Sequence, residues 1–308
     1  KHFTNLVFVL AFLLIAGIAV AQNGLEFDGT DDRIDCGNDA SLQITGSTIS
    51  LEAWIYPTSW KTNVWQGNII NKEQWTPELG YMLRCGDNGR LNFNIGNFAW
   101  NELTTAANTL TLNTWQHVAG TYDGSMMRLY VNGVPVDSVP LATTVGNASE
   151  PLFIGDIGFG GRNFPGSIDE VRIWNTHRTG AEIAANMNTE FCTAPAGLVG
   201  YYLLDQGTAA GANPTETTAW DATGSQNHGT LGNFALSGAT SNWVQGATLT
   251  AGMSVEAFDA SACASYTTPS GNAIYTMDGT YLDTLQNAVS CDSIMIIDLS
   301  ISNPSSSM

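Results

Sequence analysis

Between residues 47 and 57 the chain reads STISLEAWIYP, with Ile49, Leu51, Ala53 and Ile55 alternating with Ser50, Glu52, Trp54 and Tyr56. A period of two puts the apolar set on one face of an extended strand, so this segment predicts a strand with one buried face. The same pattern marks strands in GNIINK (67–72), YMLRC (81–85), RLNFNIG (90–96), TWQHVAGTY (114–122), MMRLYVNGVPVDSV (126–139) and SIDEVRIW (167–174). Asn132-Gly133, between two apolar runs, signals a two-residue hairpin because both residues tolerate the positive φ of a type I′ turn. Short strands separated by Gly, Asn and Asp turns predict an antiparallel β-sandwich.

One segment departs from this period. RTGAEIAANMNTEF (178–191) has Thr179 as N-cap, Glu182 at the capping-box position, and Ile183 and Met187 at helical spacing, which predicts a short amphipathic helix on the sandwich edge. GLVGYYLLDQG (197–207) then reads as a further strand, followed by a polar loop over 215–231 and a strand candidate over 234–244. Few large side chains occur in ATLTAGMS (247–254), which reads as a linker. Residues 255–308 carry AIYTM, GTYLDTL and SIMIIDLSI and read as a second, small β module, so the expected body of the sandwich is 22–246.

The phrases LEFDGTDDRIDCGND, ISLEAWIYP, WQHVAGTYDGSMMRLYVNGVPV, LFIGD and GSIDEVRIWNTHRTGAEIAANM occur in the order and spacing of a laminin-G-like, pentraxin-type domain. The chain resembles that branch of the concanavalin A-like lectin and glucanase superfamily over roughly 24–243. The resemblance implies an all-β, antiparallel jelly-roll sandwich. In many relatives the GLVGYY strand precedes the LEFDG strand, whereas here it follows; with no second LEFDG downstream, it is expected to close the sandwich from its C-terminal side. Residues SACASYTTPSGNAIYTMDGTYLDTLQNAVSCDSIMIIDLSI resemble a short repeat, with cysteine near each end, found in tandem in large secreted bacterial surface proteins. The chain is accordingly expected to be a fragment of such a protein, continuing beyond the polar NPSSSM.

Charge and targeting fit an exported protein. Lys1 and His2, an apolar run from Leu6 to Val20, and Ala19-Val20-Ala21 have the order of a secretory signal, with cleavage expected after Ala21. The run is shorter than the roughly 20 apolar residues of a membrane span, so no span is expected after cleavage. The whole chain carries a net charge of −18, and removal of residues 1–21 leaves 9 basic against 28 acidic side chains, a charge of −19. Nucleic acid is excluded as a partner, since phosphate contacts need clustered Lys and Arg. A secreted or cell-surface location also permits disulfides, and of Cys36, Cys85, Cys192, Cys263 and Cys291 the expected pair is Cys263 with Cys291, which bracket one short segment. There is no C-x-x-C, which argues against a zinc ribbon or a redox motif.

Because the superfamily includes glycoside hydrolases, catalytic carboxylates need a search. Retaining enzymes require two carboxyls about 5 to 5.5 Å apart, and the resemblance would place them as E-x-D-x-x-E or E-x-D-x-E on one strand. None of the eleven glutamates lies in such a run; Glu52 stands alone and Asp169-Glu170 are adjacent, hence on opposite faces of a regular strand. His117 in an alternating strand reads as packed, His177 and His228 lie in polar loops without a G-x-S-x-G, and no catalytic residue is assigned.

A structural calcium is expected. The resemblance matches Asp169 of SIDEVRIW to an aspartate that binds calcium in related glucanases and lectins, with Asp28 as its nearest partner and Asp221 as a weaker third. Acidic loops between strands suit a cation that takes six to eight oxygens. FDGTDDRID (27–35) is not an EF-hand, because from Asp28 the glycine position is Arg33 and the twelfth is Asp39; Asp31 and Asp32 read as a turn. Trp60, Trp65, Trp75 and Trp100 lie in polar stretches and are candidates for stacking on sugar, with Asn63, Asn97 and Asn101 beside them, whereas Trp54, Trp115 and Trp174 sit in strands and read as core. The expected function is non-catalytic recognition or adhesion, with a glycan or an extracellular protein as partner. The alternatives are an accessory domain of a polysaccharide-degrading enzyme and a stalk module without ligand.

Overall fold

The structure, a computed structural model, describes residues 22–158, 160–286 and 291–302. The proposed signal segment lies outside the described residues. Strands β1 (Asn23–Asp28), β2 (Arg33–Asp35), β3 (Ile49–Pro57), β4 (Gly67–Gln74), β5 (Leu79–Gly86), β6 (Arg90–Asn97) and β7 (Trp100–Thr104) open the chain. They are followed by β8 (Gln116–Tyr122), β9 (Met126–Val131), β10 (Val134–Pro140), β11 (Phe153–Ile154) and β12 (Pro165–Trp174). After helix α1 (Gly180–Asn186) come β13 (Leu198–Tyr202), β14 (Thr218–Ala219), β15 (Gly229–Gly232) and β16 (Asn242–Gln245). The last strands are β17 (Ser254–Ala262), β18 (Tyr266–Thr267), β19 (Ile274–Tyr275), β20 (Gly279–Gln286) and β21 (Asp292–Ile301).

Two antiparallel sheets make a jelly-roll sandwich. One runs β10-β9-β8-β3-β12-β1-β16 with β13 also on β12, and the other runs β14-β15-β2-β11-β4-β5-β6-β7. Alternation along each strand supplies the core: Leu51, Ala53 and Ile55 of the first sheet meet Leu83, Phe93 and Ile95 of the second. Packing between the sheets is close enough that a Cβ on Gly120 of β8 would lie 2.6 Å from the Phe93 ring of β6. The Asn132-Gly133 hairpin has φ of 49° and 74°, as a type I′ turn requires. The capping box of α1 forms, with Glu182 N donating to Thr179 Oγ1 and Thr179 N to Glu182 Oε2. The helix stops at Asn186, short of the expected 191, and only Ile183 is buried.

GLVGYY joins the sandwich from its C-terminal side. Along one edge β12 pairs with β1 through Pro165–Ile168 and with β13 through Val171–Trp174. Between these stretches the register on β3 slips at a bulge, with Glu170 at φ 53°. This seam makes both Asp169 and Glu170 buried, where simple alternation would expose one.

The expected Cys263–Cys291 disulfide does not form. Cys291 is bonded to Cys192, with Cα atoms 4.4 Å apart, and Cys263 is free and exposed. The reason is the parallel pairing of β17 with β21, from Ser254↔Ser293 to Ala262↔Ile301. Cys291 precedes one end of this ladder and Cys263 follows the other, about 30 Å away at roughly 3.3 Å per residue. The bond, the hydrogen bond from Asp292 N to Cys192 O (3.0 Å), and the packing of Met253, Val255 and Ile294 on Trp174, Leu198 and Tyr201 join the last strands to the sandwich.

Candidate functional site

On the second sheet, the residues that face away from the core line up in register. Asn68, Arg84, Asn92 and Thr104 form one row across β4 to β7, which Asn163 extends through its bridge to Asn68. Phe153, Asn71, Met82, Asn94 and Glu102 form the next, and Glu73, Gly80, Gly96 and Trp100 a third. An outer sheet face is ordinarily wet, yet Asn68, Asn71, Arg84, Asn92 and Asn94 are all at most 3% exposed. They bury one another in a hydrogen-bonded layer. Arg84 Nε donates to Asn92 Oδ1 (3.0 Å), Asn92 Nδ2 to Thr104 Oγ1 (2.7 Å) and Glu102 Oε2 (3.3 Å), and Asn94 Nδ2 to Glu102 Oε1 (3.1 Å). On β4, Asn71 Nδ2 donates to Asn68 Oδ1 (2.9 Å) and Glu73 Oε2 (3.3 Å).

This layer is incompletely satisfied by the protein. Asn94 Oδ1 and Asn163 Oδ1 are buried with no hydrogen-bond partner, and Arg84 Nη2 has only an ion-pair contact with Glu102 Oε1 at 3.6 Å. Such groups cost about 1–3 kcal/mol each when left unpaired.

Aromatic rings stand beside the rows. Trp65 and Trp75 are 40% and 61% exposed, with the Arg162 guanidinium 4.8 Å from one ring and 5.7 Å from the other. Arg162 Nη1 also donates to both oxygens of Glu73, at 3.1 and 3.0 Å. Phe98 is 76% exposed at a φ of 61°, a strained conformation for a bulky side chain, and its N–H donates to Glu78 O in the turn that follows Trp75. The Trp100 ring covers Gly96, where a Cβ would lie 2.4 Å from Cζ3. Trp60 packs against the rim of the core and over Gly89. The amides of the remaining sequence candidates are engaged locally: Asn63 N and Nδ2 donate to Gln66 Oε1, Asn97 Nδ2 donates to Thr144 Oγ1, and Asn101 Nδ2 to Ile95 O and Ala99 O. The polar groups of the face are instead Asn68, Asn71, Glu73, Arg84, Asn92, Asn94, Glu102 and Arg162. Their signal in the sequence is the N-x-N of RLNFNIG and the polar alternation of GNIINKEQ, which by itself reads as a solvated strand face.

The proposed calcium ligands are not brought together. Asp28 lies opposite Pro165 at the far end of β1, roughly 13 Å along the strand from Asp169. Asp221 is consumed by the loop it caps: Oδ1 accepts from Tyr201 N and Thr223 N, and Oδ2 from Thr223 Oγ1 and Asn227 N. Asp28 sits instead with Asp31 and Asp32, their carboxylate oxygens within 4.8 Å of one another. Asp28 there accepts from Thr30 N, and buried Asp32 from Asp28 N and Ser241 Oγ, as an acidic turn does.

At the β12 seam Asp169 has different company. Its Oδ2 accepts from Ala247 N (2.8 Å), while its Oδ1 has no partner. Asn23 Oδ1 and Gln206 Oε1 are likewise buried and unpaired, and Asp205 Oδ1 accepts from Asn23 N (2.9 Å). Burial, then the charges of Asp205 and Glu170, pushes the Asp169 carboxyl well above its ordinary range. Burial, then Glu190 and Glu170, pushes Asp205 to about 8. The unpaired atoms here are all oxygen acceptors, which suits a hard cation. Asp169, Asp205, Asn23 and Gln206 thus offer oxygen acceptors where β12 changes partner.

The outer side of the first sheet is a buried polar layer beneath α1 and the segment after it. Glu52 Oε2 lies 3.4 Å from His117 Nε2, and Trp54 Nε1 donates to Met187 O (2.7 Å). Burial drives the His117 imidazole below its usual value, with Glu52 opposing. His228 Nδ1 accepts from Asp221 N (3.1 Å).

A family model described as the concanavalin A-like lectin/glucanases superfamily, of laminin G type, matches residues 28–184. The chain belongs to this superfamily. Its laminin-G-type sandwich is similar to a crystal structure from Bacteroides ovatus assigned as a carbohydrate binding protein, with 27% identity and a TM-score of 0.54 over 69% of this chain and 58% of that one. A heptameric SAP-like pentraxin from Limulus polyphemus aligns with 15% identity and a TM-score of 0.41 over 54% of this chain and 82% of that one. Mouse pappalysin-1 is 35% identical over 88 residues, 26% of this chain and 5% of pappalysin-1. The superfamily member thus spans 58% of the Bacteroides ovatus chain and a small part of pappalysin-1. Among the described residues no helix is long and apolar enough to cross a membrane.

Proposed function

We propose that this chain is an extracellular carbohydrate-binding module whose ligand lies on the outer face of the second sheet. The observation that carries the reading is the pair of exposed indoles, Trp65 and Trp75, beside a polar sheet face on which Asn94 Oδ1 and Asn163 Oδ1 have no protein partner. A sugar hydroxyl can donate to such acceptors, while the apolar face of a pyranose covers an indole. The similarity to the Bacteroides ovatus protein supports this reading. The module acts without hydrolysing its ligand. Glu73 and Glu102 stand on strands three spacings apart, about 14 Å, against the 5–9.5 Å or so that two-carboxylate mechanisms use, and each is engaged by an arginine.

Calcium is part of the proposal as a structural ion. Asp169, Asp205, Asn23 and Gln206 would hold it, and it would neutralise the carboxylates where β12 changes partner from β1 to β13.

The test is binding of the full chain to immobilised and soluble glycans. Trp65→Ala and Trp75→Ala are each expected to weaken binding about tenfold, ~1.4 kcal/mol, with melting temperatures little changed because both rings are exposed. Phe98→Gly removes a ring and relieves the positive φ, so weaker binding with equal or greater stability is expected. Undiminished affinity in all three variants would place the ligand on another surface.

A further inference from the structure

Resting on that reading, we infer that the outer face of the second sheet selects neutral glycans and rejects those bearing carboxylate or sulfate groups. The argument starts from the cations on that face. A site for an anionic sugar needs a guanidinium or ammonium free to form a charge-assisted, often bidentate, contact. Here each has a carboxylate already: Arg84 Nη2 lies 3.6 Å from Glu102 Oε1, Arg90 Nε 3.0 Å from Asp87 Oδ2, and Arg162 Nη1 3.0 Å from Glu73 Oε2. Towards β2, Arg33 and Lys61 face the buried Asp156, and Lys61 Nζ also donates to Gly29 O (2.7 Å).

The unpaired atoms point the same way. Asn94 Oδ1 and Asn163 Oδ1 are both acceptors. A hydroxyl can donate to them, whereas an ionised carboxylate or sulfate ester offers acceptors only and would leave them buried and unmet. The field around the site is also unfavourable, because the chain carries 28 acidic against 10 basic side chains.

The experiment compares the full chain on matched pairs of polysaccharides, neutral and with uronic acid or sulfate substitution, by titration calorimetry at low and high salt. Neutral ligands are expected to bind at least tenfold tighter than their anionic counterparts, with neutral affinity changing less than about twofold between 50 and 500 mM salt, as contacts without net charge are barely screened. Glu102→Gln and Glu73→Gln each release an arginine and are expected to narrow the neutral-to-anionic ratio severalfold, with folding checked by the melting midpoint. An anionic glycan bound as tightly as its neutral partner by the unmodified chain, with affinity that falls as salt rises, overturns the inference while leaving carbohydrate binding intact. Absence of binding to either class overturns both.

Discussion

Replacing Arg172 by methionine is expected to lower the unfolding free energy by about 3–5 kcal/mol, the usual cost of stranding one member of a buried ion pair. Arg172 is 1% exposed, and its Nε and Nη2 donate to Glu170 Oε2 at 3.1 and 2.6 Å. Nη1 reaches Asn186 O (3.0 Å) and Nη2 also Thr189 O (2.8 Å), so one side chain ties β12 to the segment that follows α1. Phe191 and Tyr201 pack against the guanidinium, with its Cζ 4.6 and 5.5 Å from their ring centroids. Burial works against the cation, yet Glu170, together with Tyr201 and Glu52, more than offsets it and holds Arg172 charged. Methionine keeps much of the volume and removes all four donations, leaving Glu170, also 1% exposed, with the Tyr201 hydroxyl but without its cation. Arg172→Lys should fall between, since an ammonium restores charge without the planar fork. Urea unfolding followed by tryptophan fluorescence checks both variants, and a loss below about 1 kcal/mol for Arg172→Met would mean that the seam tolerates an unpaired Glu170.

Calcium at 100 times its dissociation constant is expected to stabilise the chain by about 2.7 kcal/mol over chelator. At roughly 2–4 °C per kcal/mol for a protein of this size, the melting midpoint should rise by about 5–10 °C. Asp169→Asn is expected to abolish the rise and to reverse the order of stability. Without calcium, the variant removes a buried carboxylate that faces Asp205 and Glu170, so it should melt no lower than the parent chain. With calcium, the parent should melt higher because only it keeps the charged ligand. A midpoint equal in calcium and chelator would remove the ion from Asp169, and a calcium response retained by Asp169→Asn would move the ion to other oxygens. Asp28→Asn, opposite Pro165 at the far end of β1, serves as the control and should leave the response unchanged.

What the chain determines by itself is local. Period-two alternation names the core-facing residues of β3, β6 and β8, because a strand side chain can only point up or down. Asn132-Gly133 and Thr179/Glu182 set a turn and a helix start through contacts within four residues, so no distant part of the molecule can change them. The phrases from LEFDG to VRIW likewise carry the superfamily without any knowledge of contacts, whereas polar flanks mark Trp60, Trp65, Trp75 and Trp100 alike and only the packing separates exposed Trp65 and Trp75 from the other two.

Tertiary structure decided the rest, and in each case the deciding quantity was register or strand direction. Asn92 and Asn94 look solvated until β5 and β7 bring Arg84, Thr104 and Glu102 beside them, which turns a wet face into a buried polar layer with unmet atoms. Cys263 and Cys291 look like a pair until β17 and β21 align in parallel and hold them at opposite ends of the ladder. Asp169 stands out in the sequence only through its place in SIDEVRIW, and the oxygens proposed to join it, from Asn23, Asp205 and Gln206, come from two distant segments near the place where β12 exchanges β1 for β13. Spacing along a chain records which side of a strand a residue occupies; which strands lie next to it is settled by how the sheets close, and the proposed binding face and the proposed cation site are both made of those neighbours.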